Sequence, residues 1–417
     1  MLAKLRLVTA VLIALAACSK EKPTEPEVAQ EVKENNKENT ETTVSPAAQP
    51  PEAKTIKLGQ TMPYSGPASA YGAIGKLHTA YFKMINDQGG INGRKVELTT
   101  LDDTYSPPKT VEQTRRLIEQ DNVVAVVQSV GTAANSAVHK YLNSKKVPQL
   151  FVATGASKWN DPEHFSYTIG FNPSYRLEGR TYAAHILKHT PKAKIAVLYQ
   201  NDDYGKDLLE GLKEGLGKNV KQIVAEASYE PSDPTIDSQI STLKASKADV
   251  FVDITTPKFA AQAIRRVSDL GWKATHYLNN VGASVGAVLV PAGLDKAKGL
   301  HTTQYIKDTN DPQWAKDPEM ERYKAFMKTH FPEGDTIDSN HSYAYVTAQT
   351  LVHVLKQCGD DVSSENILKQ ATSLKDYRPE LLLPGITITT AANDYETFDQ
   401  LRLATFDGKT WLADKAQ

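Results

Sequence analysis

The sequence predicts an α/β protein of two doubly wound lobes, each built on a parallel sheet. Three observations predict it. Short apolar runs alternate with amphipathic segments from residue 55 to residue 278. Some of these runs, such as residues 123–128, are apolar without alternation, as strands covered on both faces are. The chain has 417 residues, 40% of them hydrophobic, which is enough for two cores.

Taken in order, residues 55–59 read as the first strand. Residues 72–87 form an amphipathic helix, stopped by Gln88-Gly89-Gly90. Strand 95–101 leads to helix 107–120, which carries proline in its first turn. Strand 123–128, helix 135–142 and strand 149–153 complete the first series. The alternation resumes with helix 176–188, strand 194–199 and helix 204–216. Strand 222–229, helix 236–245, strand 250–254, helix 258–270 and strand 275–278 extend it. Parallel sheets of this kind bind ligands outside the carboxyl ends of their strands. The candidate loops are therefore 63–71, 129–134, 154–158, 201–204, 255–257 and 279–282. They are rich in neutral hydrogen-bonding residues rather than titratable clusters, which points to binding rather than catalysis.

The first 54 residues differ in kind. Lys4 and Arg6 precede a short apolar run, residues 7–15, which ends in Leu15-Ala16-Ala17-Cys18. A basic start, a short apolar run and small residues before a cysteine resemble a bacterial lipoprotein signal. That resemblance implies a signal peptide over residues 1–17 and lipidation of Cys18. Residues 19–54 carry eight Glu, five Lys, five Pro and no aromatic residue. Such a segment buries too little surface to offset chain entropy, so residues 18–54 read as a lipidated cysteine and a disordered tether. Its flexible reach is roughly 30–35 Å.

Charge and cysteine content narrow the function classes. Lys and Arg total 48 against 49 Asp and Glu, a net charge of −1, so no basic field draws nucleic acid. Two cysteines exclude a disulfide scaffold and a cysteine-ligated zinc module. Cys358, alone in the folded body, reads as an inert core thiol. No phosphate-loop motif is present, and neither a cofactor nor a metal is expected.

Several segments together resemble one family. They are Tyr64-Ser65-Gly66-Pro67 with Tyr71-Gly72, then Ile85-Asn86-Asp87-Gln88-Gly89-Gly90-Ile91-Asn92-Gly93. Asp102-Asp103 with Ser106-Pro107-Pro108 follow, then Asn201-Asp202-Asp203-Tyr204-Gly205. In order and spacing they resemble the type I periplasmic binding proteins of the leucine/isoleucine/valine-binding group, the solute receptors of ABC importers. The resemblance implies two lobes joined by a three-strand hinge, with crossings near Gly170, Thr303 and Gly385. Lobe 1 would hold residues 55–170 and 304–384, and lobe 2 residues 171–303 and 385–417. It further implies a monomer in the periplasm of the cell envelope, tethered to a membrane through Cys18. That receptor would deliver its ligand to an ABC permease in the inner membrane.

The resemblance also implies where the ligand sits. Its carboxylate would meet Gly131 and Thr132 in one loop, and Gly155, Ala156 and Ser157 in another. Both loops precede helical stretches, where free N–H groups suit an anion. Tyr71, Tyr204 and Tyr345 match positions that line the ligand's side chain, with Thr256, Asn280 and Val281 completing the set. Core packing is an alternative for Tyr345, which lies on a helix. Two departures bear on the ligand. The acidic residue that holds a ligand ammonium in the amino-acid binders is matched here by Val281, and a tyrosine-bearing loop is replaced by Thr255-Thr256-Pro257. A buried ammonium without a carboxylate is costly. The expected ligand is therefore a small hydrophobic carboxylate, aromatic acids included. A branched-chain amino acid held by Asp202 or Asp203 is the alternative, and a ligand sensor for a signalling partner is another.

Two motifs point elsewhere. Gly282-Ala-Ser284-Val-Gly286 fits G-x-S-x-G, and Asp308, Asp311 and His341 follow in the order a serine hydrolase would need. A small-residue helix start is the simpler reading, and no enzyme activity is expected. His185 and His189 are four apart on a helix, but Glu is absent beside them and they read as a structural pair.

Overall fold

The computed structural model describes residues 55–414. The expected signal peptide, Cys18 and the expected tether lie outside the described residues, as do residues 415–417. Among the described residues, no helix is long and apolar enough to cross a membrane.

The first sheet has five parallel strands in the order β2-β1-β3-β4-β5. They are β1 (Ile56–Met62), β2 (Val96–Asp102), β3 (Ala125–Val127), β4 (Gln149–Val152) and β5 (Thr168–Gly170). Helices α1 (Gly72–Asp87), α2 (Pro107–Glu119) and α3 (Thr132–Ser144) connect them. Every residue of β3 and β4 is buried, which explains the unbroken apolar run of β3 and the apolar residues 150–152 of β4. Strand β3 is shorter than predicted because Gln128 turns to φ 52°. Helix α3 begins earlier than predicted, because Gly131 at φ 98° makes the turn that starts it.

The second sheet has seven strands in the order β12-β11-β10-β9-β8-β6-β7. Helices α4 (Tyr175–His189), α5 (Asp203–Leu216), α6 (Asp237–Ala245) and α7 (Pro257–Asp269) alternate with parallel strands. These are β6 (Ile195–Gln200), β7 (Ile223–Tyr229), β8 (Val250–Ile254) and β9 (Thr275–Leu278). The predicted apolar helix after residue 282 is instead a π turn over Val285–Leu289, then short α8 (Val290–Ala292) and α9 (Leu294–Ala297). Pro291 and Gly293, at φ 103°, leave no room for a regular helix there. Strand β10 (His301–Gln304) runs parallel to β9.

The chain then returns to the first lobe with α10 (Pro318–His330), α11 (Ser339–Gln357) and α12 (Ser364–Ala371). Ile74, Leu77, Tyr81, Phe82 and Ile85 of α1 share one buried core with Tyr323, Phe326, Leu351 and Leu355. The last crossing differs from the expectation near Gly385. Ile386, Ile388, Tyr395 and Phe398 are still buried in the first lobe's core. The chain joins the second sheet only at β11 (Arg402–Phe406), antiparallel to β10, followed by β12 (Trp411–Ala413). Four apolar side chains after Gly385 thus hold that segment in lobe 1. Cys358 is buried in the same core, and burial pushes its thiol up to about 11.

One polar group sits at the centre of lobe 1. His78 of α1 is fully buried. Its Nδ1 accepts from Gln60 of β1 at 3.0 Å, and its Nε2 donates to Thr347 of α11 at 2.8 Å. The network therefore assigns the neutral ring. Burial lowers the His78 pKa from 6.5 to about 3. The unfolded chain takes up this proton below pH 6.5 while the folded chain refuses it. Stability from His78 is thus complete above pH 6.5 and declines as pH falls toward 3. At pH 5 the loss is about 2 kcal/mol. The pKa values of His139 and His185 are also lowered by burial, each to about 4, and add to the same slope. Urea denaturation at pH 7.5 and pH 5 should show this slope, and His78→Gln should reduce it by about 2 kcal/mol; an unchanged slope in that variant would contradict the role of His78.

Candidate ligand-binding site

The carboxyl ends of both sheets face one cavity of about 90 Å³. Lobe 1 supplies Tyr71, Tyr105, Gly131 and Thr132, and lobe 2 supplies Tyr175, Tyr204, Thr256, Asn280 and Val281. Gln304 and Tyr305 reach it from the crossing after β10, and Tyr343 from α11. A hydrogen bond spans the lobes here: the Tyr71 hydroxyl donates to the Val281 carbonyl at 3.0 Å.

The lobe 1 wall carries the start of a helix. Helix α3 starts at Thr132, and no side chain caps it. Asn135 is the first residue whose N–H bonds back, to the Gly131 carbonyl. The first-turn N–H groups therefore lack intrahelical partners at the positive end of the helix dipole. The Asn135 side chain fixes this turn by donating to the carbonyls of Ser129 and Gly131, each at 2.8 Å. Thr132 and Thr154 share a hydrogen bond of 2.5 Å between their hydroxyls. A methyl at Gly131 would come within 2.6 Å of the Tyr105 ring, so glycine also sets the width of the cavity.

Apart from Lys307 and Asp308, the remaining wall carries no carboxylate or basic side chain. Burial pushes the Tyr71 and Tyr204 hydroxyls well above the usual phenol range, so both stay protonated. Lys307 touches the cavity, but its ammonium is engaged by Asp317 at 2.5 Å and Glu319 at 2.7 Å. Burial opposes ionisation of Glu319, yet Arg378 and Lys307 outweigh it and hold the carboxyl at about 2. Asp308, the one carboxylate among the lining residues, accepts the N–H groups of Asn310 at 2.8 Å and Trp411 at 3.0 Å.

Sequence reasoning missed Glu178, which is 3% exposed and lies behind this wall. Its Oε1 accepts from the Asn280 N–H and the Tyr182 hydroxyl, both at 2.6 Å, and from Thr303 at 3.2 Å. That carboxylate fixes the Asn280–Val281 turn. A glutamate on a helix carries no local signal of such a role. Tyr105 and Tyr343 were also missed, although Tyr105 follows the Asp102-Asp103 motif.

Four expected ligand residues lie elsewhere. Tyr345 is not on the cavity wall. It packs edge-on to Tyr81 and Tyr323, and its hydroxyl donates to Glu380 at 2.9 Å. Two positions along a helix turn the side chain about 200°, so α11 presents Tyr343 to the cavity and Tyr345 to the core. Gly155 is a packing glycine, since a methyl there would lie 2.1 Å from the Pro173 carbonyl. Ala156 and Ser157 line a separate, open cleft with Arg176, Asp203 and Asp207. The helical stretch at Ser157–Trp159 is one short turn, so of these two loops it is the one before α3 that offers a helix N-terminus to the cavity.

The motifs that pointed elsewhere are structural here. Ser284 donates to Asp338 at 2.8 Å and caps Ala287, while His341 meets the Asp335 carbonyl and packs against Phe331. His185 and His189 stack 4.0 Å apart, with His185 bonded to the Tyr277 hydroxyl.

The sequence model of the periplasmic binding proteins matches residues 55–410. The chain belongs to the periplasmic binding protein family. A relative of this binding protein in Brucella suis is described as Leu/Ile/Val-binding protein homolog 7. It is 25% identical over 342 residues, 78% of this chain and 82% of the relative. The solved structure of a branched chain amino acid ABC transporter from Thermus thermophilus with bound valine superposes with a TM-score of 0.78. It is 16% identical and the match covers 86% of this chain and 95% of that one. A fatty acid ABC transporter substrate-binding protein from Thermomonospora curvata superposes with a TM-score of 0.73. It is 20% identical, over 87% of this chain and 93% of that one. The two structures share the fold of this binding protein while their ligands differ in class.

In this periplasmic binding protein the two tyrosines of α11 should separate by substitution. Tyr345→Phe should lower stability by about 1–3 kcal/mol, through its lost bond to a carboxylate, and leave ligand affinity within about twofold. Tyr343→Phe, which loses a 2.8 Å bond to Asn172 at the cavity, should weaken binding about threefold to tenfold. Titration calorimetry beside urea denaturation checks both; the reverse pattern would return Tyr345 to the site.

Proposed function

We propose that this chain is the substrate-binding component of an ABC importer and captures a small apolar carboxylate, aromatic acids included. In this reading Cys18 carries the lipid that tethers a monomer in the periplasm, and the closed lobes present the ligand to an inner-membrane permease. Ligand contact falls to Tyr71, Gly131, Thr132, Tyr204, Thr256, Asn280 and Val281. The observation that carries the ligand class is the distribution of hydrogen bonds. Free N–H groups of α3 await an anion, whereas the oxygens of each nearby acid already accept hydrogen bonds. Asp308 holds two backbone N–H groups. Asp202 caps α5 and accepts from Gln200, and Asp203 pairs with Lys158. A ligand ammonium would therefore draw on acid oxygens already engaged by other donors, with no dedicated partner at Val281. The cavity is smaller than the roughly 150 Å³ that holds a benzene, so a ring-bearing acid enters with a slight parting of the lobes.

The second reading is a branched-chain amino acid receptor. It is favoured by the relative described as a Leu/Ile/Val-binding protein homolog and by the valine-bound structural neighbour. A thermal-shift panel of leucine, valine, benzoate, coumarate and short fatty acids separates the two. A ligand at about 100 times its Kd adds roughly 2.7 kcal/mol of stability. Acids alone should raise the midpoint; a rise with leucine or valine alone would overturn the carboxylate reading. Val281→Glu should restore an ammonium partner and raise affinity for leucine relative to benzoate by roughly tenfold, about 1.4 kcal/mol. An unchanged ratio in calorimetry would show that position 281 does not select the ligand.

A further inference from the structure

Outside the ligand cavity, the lobes meet at a second place. The one-turn segment Ser157–Trp159 of lobe 1 lies against the start of α5 in lobe 2. Asp207 of α5 accepts the Ser157 N–H at 2.8 Å on one oxygen and the Ser157 hydroxyl at 3.0 Å on the other. Beside it, the Lys158 ammonium reaches Asp203 at 2.7 Å while also bonding Ser136 of α3 at 3.0 Å. Asp207 is held in its own lobe by Arg176 at 2.5 Å, and Arg176 is fixed in turn by Glu214. The carboxylate is thus pre-oriented before it meets the other lobe. None of Ser157, Lys158, Asp203 and Asp207 lines the ligand cavity.

We infer that Asp207 and Ser157 form a latch that holds the lobes closed and so sets ligand affinity without touching the ligand. The inference rests on the reading that binding requires closure. When the lobes part, Asp207 keeps Arg176 and loses both bonds to Ser157, one of them from a backbone N–H. Bonds to a charged acceptor are stronger than neutral ones. Their loss lowers the fraction of molecules in the binding-competent form, and apparent affinity falls by that fraction. Because the latch is remote, every ligand should weaken by the same factor. A residue that touches the ligand would change the order of preference instead.

The far edge of the seam supplies the test. There the Gly286 N–H donates to the Ile337 carbonyl at 3.0 Å, and the Ser339 N–H to the Ser284 hydroxyl at 3.2 Å. Both bonds join the lobes, and neither residue touches Asp207. Hydrogen exchange would be measured on the full chain, on Asp207→Asn and on the milder Ser157→Ala, with no ligand added. Global stability would be followed by urea denaturation. Faster exchange at Gly286 and Ser339 in both variants, at unchanged global stability, supports a latch on whole-lobe closure. Faster exchange confined to residues 156–159 overturns it, because the contact is then only local. Calorimetry with benzoate and with leucine adds the second reading: Asp207→Asn should weaken whichever binds by roughly tenfold. Unchanged affinity overturns the latch. If neither these probes nor the other panel members bind the parent chain, both ligand readings fail, and the exchange at Gly286 and Ser339 still decides the latch.

Discussion

The governing constraint is that one chain passes between two lobes three times. Three stretches of covalent backbone between the lobes forbid them to separate and leave rotation as the soft motion. Parallel sheets present their carboxyl ends to that seam, and with them every loop that follows a strand. The cavity is therefore a product of topology before it is a product of side chains. Tyr71 after β1, Thr132 after β3, Tyr204 after β6, Thr256 after β8 and Val281 after β9 all arrive there for the same reason.

Within that frame the chemistry is economical with charge. A cation facing the ligand would bind an anion strongly in a low-dielectric cleft, but would be costly whenever the cleft was empty. Here the lysine on the wall is neutralised by two carboxylates, and the fixed positive partial charge at the cavity comes from backbone N–H groups at a helix start. Partial charges of this kind are fixed in direction and need no counter-ion. The tyrosines that surround them combine apolar faces with neutral hydroxyls, which suits a ligand with one charged end and an apolar body.

Much of the fold is legible along the chain, because its signals are local. An apolar run that lacks alternation marks β3, and proline in the first turn marks α2. The cavity loops follow from the same alternation, since a loop after a parallel strand must open at the carboxyl edge. What fails is what depends on rotation about an axis or on distant partners. Tyr345 and Tyr343 are equivalent in composition and spacing to the loop tyrosines, yet only the phase of α11 decides which one sees the ligand. Glu178 has no neighbour in sequence that reveals its partners, because Asn280 and Thr303 come from elements far along the chain. The segment after Gly385 contains ordinary apolar residues, and only tertiary packing shows which of two cores they enter.

The pairing of β10 with β11, in which His301 faces Thr405, has a consequence for assembly. The second sheet is completed by strands at the far end of the chain, and the first lobe's core waits for α10 to α12, which come after β10. Neither lobe can be finished from the half of the sequence that begins it. Contacts so distant in sequence must be closed against chain entropy before they contribute, which slows folding. The same interleaving that makes a hinge in the finished protein makes its two halves depend on each other while the chain is still being synthesised.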